Sequence, residues 1–209
     1  MSAPSMTLYY NAASPFARKV LVLLHETGQT QRVKLKSVMV TPVTPDSELC
    51  HENPCGKIPA LCLADNNVIH DSRVILDYLD HQHVGNLLIP HEGSARWRRL
   101  TLASLADAAL DAAVLIRYET FLRPEEKRWS QWLDNQHEKI ARSLAYLEAE
   151  AVTELSSHFD IASISVACAL GYLDFRQPNL GWRSSYPRLA NWYYEVSQRP
   201  SMLETQPPA

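Results

Sequence analysis

The hydrophobic pattern of this chain changes character near Pro90. Before it, short apolar or alternating runs take turns with segments of helical spacing; after it, nearly everything has helical spacing. Leu8-Tyr9-Tyr10 reads as a first strand and Pro15 to His25 as a first helix. Phe16, Val20 and Leu24 recur every fourth residue there, marking one buried face, and Gly28 follows as a helix stop. Val33-Lys34-Leu35-Lys36 alternates as a second strand should. A Pro-rich loop, Thr41 to Pro45, leads to a short segment around Leu49. Ala60 to Leu63, a turn at Asp65-Asn66-Asn67, and Val68-Ile69 make a hairpin. A helix carrying Val74, Ile75, Tyr78 and Leu79 closes this half.

Long amphipathic segments follow, from about Ala95 to Leu122 and from Glu125 to Ala149. The second carries Leu133, Ile140, Leu144 and Leu147 on one stripe. Ile161 to Leu173 is apolar almost all round, which predicts the central buried helix of a bundle. Asp160 is placed to cap it, with Phe159 and Ile164 as a hydrophobic staple. Leu189, Trp192, Tyr193 and Val196 line a last helix, which Pro200 ends. The predicted architecture is an α/β thioredoxin-like domain of order β-α-β-α-β-β-α over residues 1–85. A linker over Asn86–Glu92 leads to an all-α helical bundle over 92–209.

Composition narrows the function. The 209 residues suit one large or two small domains, and 46% hydrophobic residues support a packed core. Six glycines argue against Gly-rich nucleotide loops. A net charge of −3, with Arg96-Trp97-Arg98-Arg99 as the densest positive run, argues against a nucleic-acid partner. No apolar stretch approaches the ~20 residues of a membrane span, and the N-terminus lacks a signal-peptide pattern. Cys50, Cys55, Cys62 and Cys168 form no Cys-x-x-Cys pair, so reduced thiols in the cytoplasm are expected. The scattered histidines, His81-x-His83 included, predict no metal site.

Three short motifs carry the candidate chemistry. Ser14-Pro15-Phe16-Ala17 stands at the strand–helix turn where a thioredoxin-like domain holds its two thiols, with Ser14 and Ala17 in their places. Ser14 is placed as N-cap and Pro15 as the first helical residue, where free N–H groups and the helix dipole favour an anion. Ser14 therefore either stabilises a thiolate brought by a ligand or simply caps a helix. Asn53-Pro54-Cys55-Gly56-Lys57-Ile58-Pro59 enters the third strand. A cis Pro59 would free the Ile58 backbone for an extended peptide-like ligand, and Lys57 can meet a carboxylate; the alternative is a plain turn with a solvated lysine. Asp71-Ser72 precedes the third helix. Ser72 as its cap can receive a carboxylate and Asp71 an ammonium, or the pair serves capping alone. Tyr9 and Tyr10 lie inside the first strand, so at least one should be core, and Ser14 is the better placed hydroxyl.

In order and spacing, followed by an all-helical half, these motifs resemble the glutathione transferase family over nearly the whole chain. Ser-Pro-Phe-x-Arg-Lys and the run Ala167 to Arg176 resemble its bacterial YibF-type members more narrowly. The resemblance implies glutathione as co-substrate, with Ser14 facing its sulfur. It implies that Ile58 and a cis Pro59 hold the cysteinyl part, Asp71 and Ser72 the γ-glutamyl end, and Lys57 a carboxylate. Phe16, Asp107, Asp111 and Tyr118 would border the pocket for a small apolar electrophile. A cytoplasmic homodimer is implied as well. Two departures stand out: Asp160 and Ser163 reverse the family's usual order at the buried helix, and Cys55 replaces an apolar residue. Three functions fit this reading: a glutathione transferase first, a glutathione-dependent disulfide or peroxide reductase using Cys55 second, and a non-catalytic binding module third.

Overall fold

The computed structural model describes residues 5–208. The chain divides into two compact units. The first comprises residues up to Leu87 together with those from Pro200 onward, and the second is Leu88–Arg199. The first unit contains β1 (Met6–Tyr10), α1 (Pro15–Glu26), β2 (Val33–Ser37), α2 (Ser47–Glu52), β3 (Ala60–Cys62), β4 (Val68–Ile69) and α3 (Ser72–Asp80). The second contains α4 (Gly93–Phe121), α5 (Ser130–Tyr146), α6 (Val152–Leu155), α7 (Ile161–Arg176), α8 (Trp182–Ser185) and α9 (Pro187–Ser197). A last helix, α10 (Pro200–Glu204), belongs to the first unit. The sequence pattern groups that segment with the helical half and ends a helix at Pro200, whereas here Pro200 opens one.

In the first unit the sheet order is β2-β1-β3-β4, with β1 parallel to β2 and the other pairs antiparallel. Leu8 and Tyr9 are both buried although neighbours on a strand point to opposite faces. Both faces are therefore covered. Leu49 of α2, Val38 and Ala60 pack around Tyr9 on one side, and the Tyr9 hydroxyl donates to the Glu48 carboxylate at 3.0 Å. On α1, Val20 and Leu24 are buried as the spacing predicts, while Phe16 is half-exposed. The helix ends at Thr27, and Gly28 follows at φ +66°. There the Gly28 N–H bonds the His25 carbonyl and the Gln29 N–H the Leu24 carbonyl, a Schellman stop that needs a left-handed residue. The charged residues Arg18 and Lys19 are buried, against their usual preference. Arg18 donates to the Met202 carbonyl at 3.0 Å, and Ser201 donates to the Glu26 carboxylate, so α10 is strapped to α1.

In the second unit α7 is buried from Ile161 to Leu173, and α4 packs along it. Asp160 caps α7 as expected, accepting from the N–H groups of Ala162 at 3.0 Å and Ser163 at 3.3 Å. Ser163 returns no bond to the cap. Its hydroxyl donates to the carbonyls of His158 and Leu155 instead. Phe159 lies against Arg199, whose guanidinium stands 4.1 Å from the ring centre. The basic run at Arg96 is consumed internally: Arg98 pairs with Glu154, and Arg99 pairs with Asp160 and Glu154. The helix expected from Glu125 starts at Ser130, after a 3-10 turn over Glu125–Lys127, and widens into a π-type turn over Leu147–Ala151 before α6. Among the described residues no helix is long and apolar enough to cross a membrane.

Candidate functional site

Strand register gathers the three motifs of the first unit. Tyr9, near the C-terminal end of β1, pairs with Ala60, the first residue of β3. Ile69, the last residue of β4, pairs with Leu61. The β1–α1 turn, the Ile58-Pro59 junction and the start of α3 therefore share one end of the sheet. Ser14, Phe16, Lys57, Ile58, Pro59, Asp71 and Ser72 all belong to that end. Asp107, Asp111 and Tyr118 stand on α4 in the other unit, on one helical face, with Asp107 buried, Asp111 exposed and Tyr118 half-buried.

Ser14 is the N-cap of α1, with Pro15 as its first residue. Its Oγ accepts the Ala17 N–H at 3.3 Å. The turn before it is held by Asn11, a residue the sequence reading passed over. Asn11 accepts the Ala13 N–H through its side chain, donates to the Val38 carbonyl at 3.0 Å, and receives the Ser14 N–H on its own carbonyl. The short polar residue just before a Ser-Pro helix start is the signal that was available. Lys19 is fully buried on the same helix, with its ammonium 5.6 Å from the Phe16 ring centre.

The second motif is built around Asn53, which is buried. Its side chain accepts the Cys55 N–H at 3.0 Å and donates to the Lys57 carbonyl at 2.8 Å, fixing the loop that presents Lys57 and Ile58. The Ile58-Pro59 bond is cis, as expected. Gly56 sits at φ +58°, and a Cβ there would meet the Cys50 sulfur at 3.1 Å. Gly56→Ala is expected to cost about 1–2 kcal/mol, chiefly through the left-handed backbone. Thermal unfolding checks this, and adding Cys50→Ala should recover only the small steric part. Cys55 is exposed. Burial, with Glu52 alongside, pushes the Cys62 thiol up to about 11, so Cys62 stays protonated at neutral pH.

At the third motif the expected cap is displaced by one residue. Asp71, not Ser72, caps α3, accepting the Arg73 N–H at 2.9 Å. Ser72 is the first helical residue and is buried, its hydroxyl 3.4 Å from the Asp71 carboxylate. An Asp followed by Ser offers two cap formers, and the carboxylate wins because it also binds the Arg73 guanidinium. Arg73 draws the Asp71 carboxyl down to about 2, with Lys19 adding a smaller share. Asp71 is thus an anion over the whole physiological range, and its link to Lys19 ties the start of α3 electrostatically to α1. Among the described residues no group of three or more His, Cys, Asp or Glu is placed to hold a metal ion. A groove of about 770 Å³ in the second unit, lined by residues such as His158, Phe159 and Trp192, contains none of these candidate residues.

The mixed sheet with a serine-capped helix at one end, followed by a helical unit, has the layout that the resemblance in the sequence implies. The comparisons agree: residues 8–87 match the family model of the glutathione S-transferase N-terminal domain and residues 130–193 that of the C-terminal domain. The chain belongs to the glutathione S-transferase family.

Among curated relatives it is 32% identical to an uncharacterised GST-like protein, YibF, of Escherichia coli K12, over 97% of this chain and 99% of that protein. Among solved structures it is 66% identical to a glutathione transferase family member of Pseudomonas fluorescens Pf-5 with bound glutathione. That likeness covers 98% of this chain and all of that one, with a TM-score of 0.98. A second structure of such a protein from the same strain, 65% identical with a TM-score of 0.93 over the same shares, holds S-(propanoic acid)-glutathione. A glutathione S-transferase of Methylobacillus flagellatus KT with glutathione bound is 36% identical, with a TM-score of 0.85 over 98% of this chain and all of that one. Glutathione is the co-substrate of the family, and the close relatives hold it.

Proposed function

We propose that this protein is a glutathione transferase in which glutathione, bound at the end of the small sheet, loses its thiol proton beside Ser14 and attacks a small electrophile. The carrying observation is the state of the Ser14 hydroxyl. Its oxygen accepts the Ala17 N–H as a helix cap, which leaves its own proton to donate toward a sulfur anion. The backbone of Ile58, with Pro59, pairs with the cysteinyl part of the tripeptide, and Lys57 meets its glycyl carboxylate. The ionised Asp71 takes the γ-glutamyl ammonium, while Ser72 and the first N–H groups of α3 take the carboxylate beside it. Phe16, Asp107, Asp111 and Tyr118 are assigned to the second substrate. The glutathione and S-substituted glutathione held by close relatives support this reading. A cytoplasmic homodimer completes the proposal.

The magnitudes suffice. A free thiol has a pKa near ~8.5, and lowering it by about two units takes roughly 2.7 kcal/mol. A hydroxyl donating to a charged acceptor contributes ~1.5–3 kcal/mol, and a helix N-terminus adds ~0.3–1 kcal/mol. Titrating the ultraviolet thiolate band of bound glutathione against pH is expected to show that depression, and to show it largely lost in Ser14→Ala. Calorimetry detecting no glutathione uptake by the folded protein at millimolar ligand would overturn the proposal. Peroxide turnover that exceeds aryl-halide turnover and disappears in Cys55→Ser would replace it with the reductase reading.

A further inference from the structure

Within the first unit, Gln29 ties together the far ends of two helices. Its side-chain amide donates to the Thr27 hydroxyl at 2.8 Å, where α1 stops, and to the Leu79 carbonyl at 2.9 Å, next to the last residue of α3. The two helices pack against each other. Thr27 to Lys19 and Leu79 to Asp71 span the same number of residues, about 12 Å of helical rise. Lys19 and Asp71 therefore stand at one level when the helices run in the same direction. The positive charge of Lys19 acts on the Asp71 carboxylate, as that placement requires.

Lys19 is fully buried. Long side chains on a helix lean back toward its N-terminus, and the Lys19 ammonium lies 5.6 Å from the ring centre of Phe16, one turn nearer Ser14. A buried cation thus sits between the N-terminal ends of α1 and α3. Helix N-termini are themselves partly positive and favour anions, and a lysine ordinarily keeps its charge in water. Asp71 answers that charge only in part. It also binds the Arg73 guanidinium, at 2.9 and 3.3 Å. One carboxylate therefore faces two side-chain cations and the positive end of the helix it caps. Among these groups positive charge is in surplus.

We propose that Lys19 is a positioning residue for the γ-glutamyl end of glutathione: its buried charge favours the α-carboxylate of the ligand at the start of α3 and disfavours the ammonium. This role deepens the proposed function and rests on it. Lys19 is enclosed by protein, so it reaches the ligand through its field and through the Asp71 that it steadies. The carboxylate and the ammonium leave the same carbon of the ligand, and a fixed cation attracts one and repels the other. The result is orientation: the carboxylate turns toward Ser72 and the free N–H groups of α3, and the ammonium turns outward to the solvent side of Asp71.

The test is calorimetry with three thiols: glutathione, γ-aminobutyryl-cysteinyl-glycine, which lacks the α-carboxylate, and glutaryl-cysteinyl-glycine, which lacks the ammonium. In the wild-type protein, loss of the carboxylate is expected to weaken binding at least about 10-fold and loss of the ammonium by no more than about 3-fold. Lys19→Met is expected to move the two analogues in opposite directions relative to glutathione. The penalty for the missing carboxylate should shrink about 5-fold, and that for the missing ammonium should grow. Lys19→Arg should keep the wild-type order. Lys19→Gln, which keeps a polar end at the buried position, decides the matter where Lys19→Met does not fold. A merely structural lysine would weaken all three ligands by one factor, and that result in a folded variant would overturn the role. Equal penalties for the two analogues in a wild-type protein that binds glutathione would also overturn it and leave the proposed function standing. Uptake of none of the three would overturn both.

Discussion

Ser14→Ala is expected to lower the rate of glutathione attack on a chlorodinitrobenzene about 10- to 100-fold, while glutathione affinity changes little. The estimate follows from the loss of one hydroxyl donor to a charged acceptor, ~1.5–3 kcal/mol, at about a factor of ten per 1.4 kcal/mol. The donor matters for the ionised sulfur far more than for the rest of the tripeptide, so the loss belongs in turnover rather than in uptake. Ser14 also caps α1. The variant should therefore lose ~1 kcal/mol of stability, lowering the melting temperature by about 2–4 °C. Ser14→Thr keeps the hydroxyl and separates the two effects: it should retain most of the turnover. Steady-state kinetics alongside thermal unfolding checks all three statements. Wild-type turnover in Ser14→Ala would remove this hydroxyl from the chemistry.

Asp160→Ala is expected to be the most destabilising of the substitutions considered. The cap alone contributes ~1 kcal/mol. Here the same carboxylate also binds Arg99, and both side chains are largely withdrawn from solvent, Asp160 at 13% and Arg99 at 8% exposure. Removing one member of such a pair leaves a charge without its partner and costs roughly 3–5 kcal/mol. Glu154 also contacts Arg99, at 3.4 Å, and moderates the loss. A fall of about 10 °C in melting temperature corresponds to ~3 kcal/mol for a chain of this size. Asp160→Asn keeps an acceptor for the Ala162 and Ser163 N–H groups but gives up the charge, so it should fall between wild type and alanine. An alanine variant melting within about 2 °C of wild type would refute both roles.

The sequence made the cap legible and hid its partner. Asp160 stands directly before an apolar helix, a local pattern, whereas Arg99 is 61 positions away and reads only as part of a short basic run. The same contrast recurs in the first unit. Alternation, turn residues and the Gly28 stop predict strands and helices within a residue or two, because those signals act between near neighbours. Tyr9 and Leu8 are both buried because α2 covers the second face of the sheet, which no single strand can announce. At the site, Ser14 and the cis Pro59 were legible from their own motifs. The cap of α3 was misplaced by one residue because Asp71 and Ser72 are both good caps, and the choice falls to Arg73. Asn11 carries no motif of its own and Asn53 stands in the second motif without an evident role, since each works by holding backbone, and the groups they hold become visible only once the loops are folded.

The attachment of α10 to α1 makes the smaller unit discontinuous along the chain: the helical unit is in effect an insertion between its main body and its final turn of helix. A fragment cut after Leu87 would uncover Arg18 and take away the Met202 carbonyl it donates to, and would leave Glu26 without the Ser201 hydroxyl. Anyone wishing to express the smaller unit by itself should graft residues 200–208 back through a short linker, or make a circular permutant that delivers them in one piece.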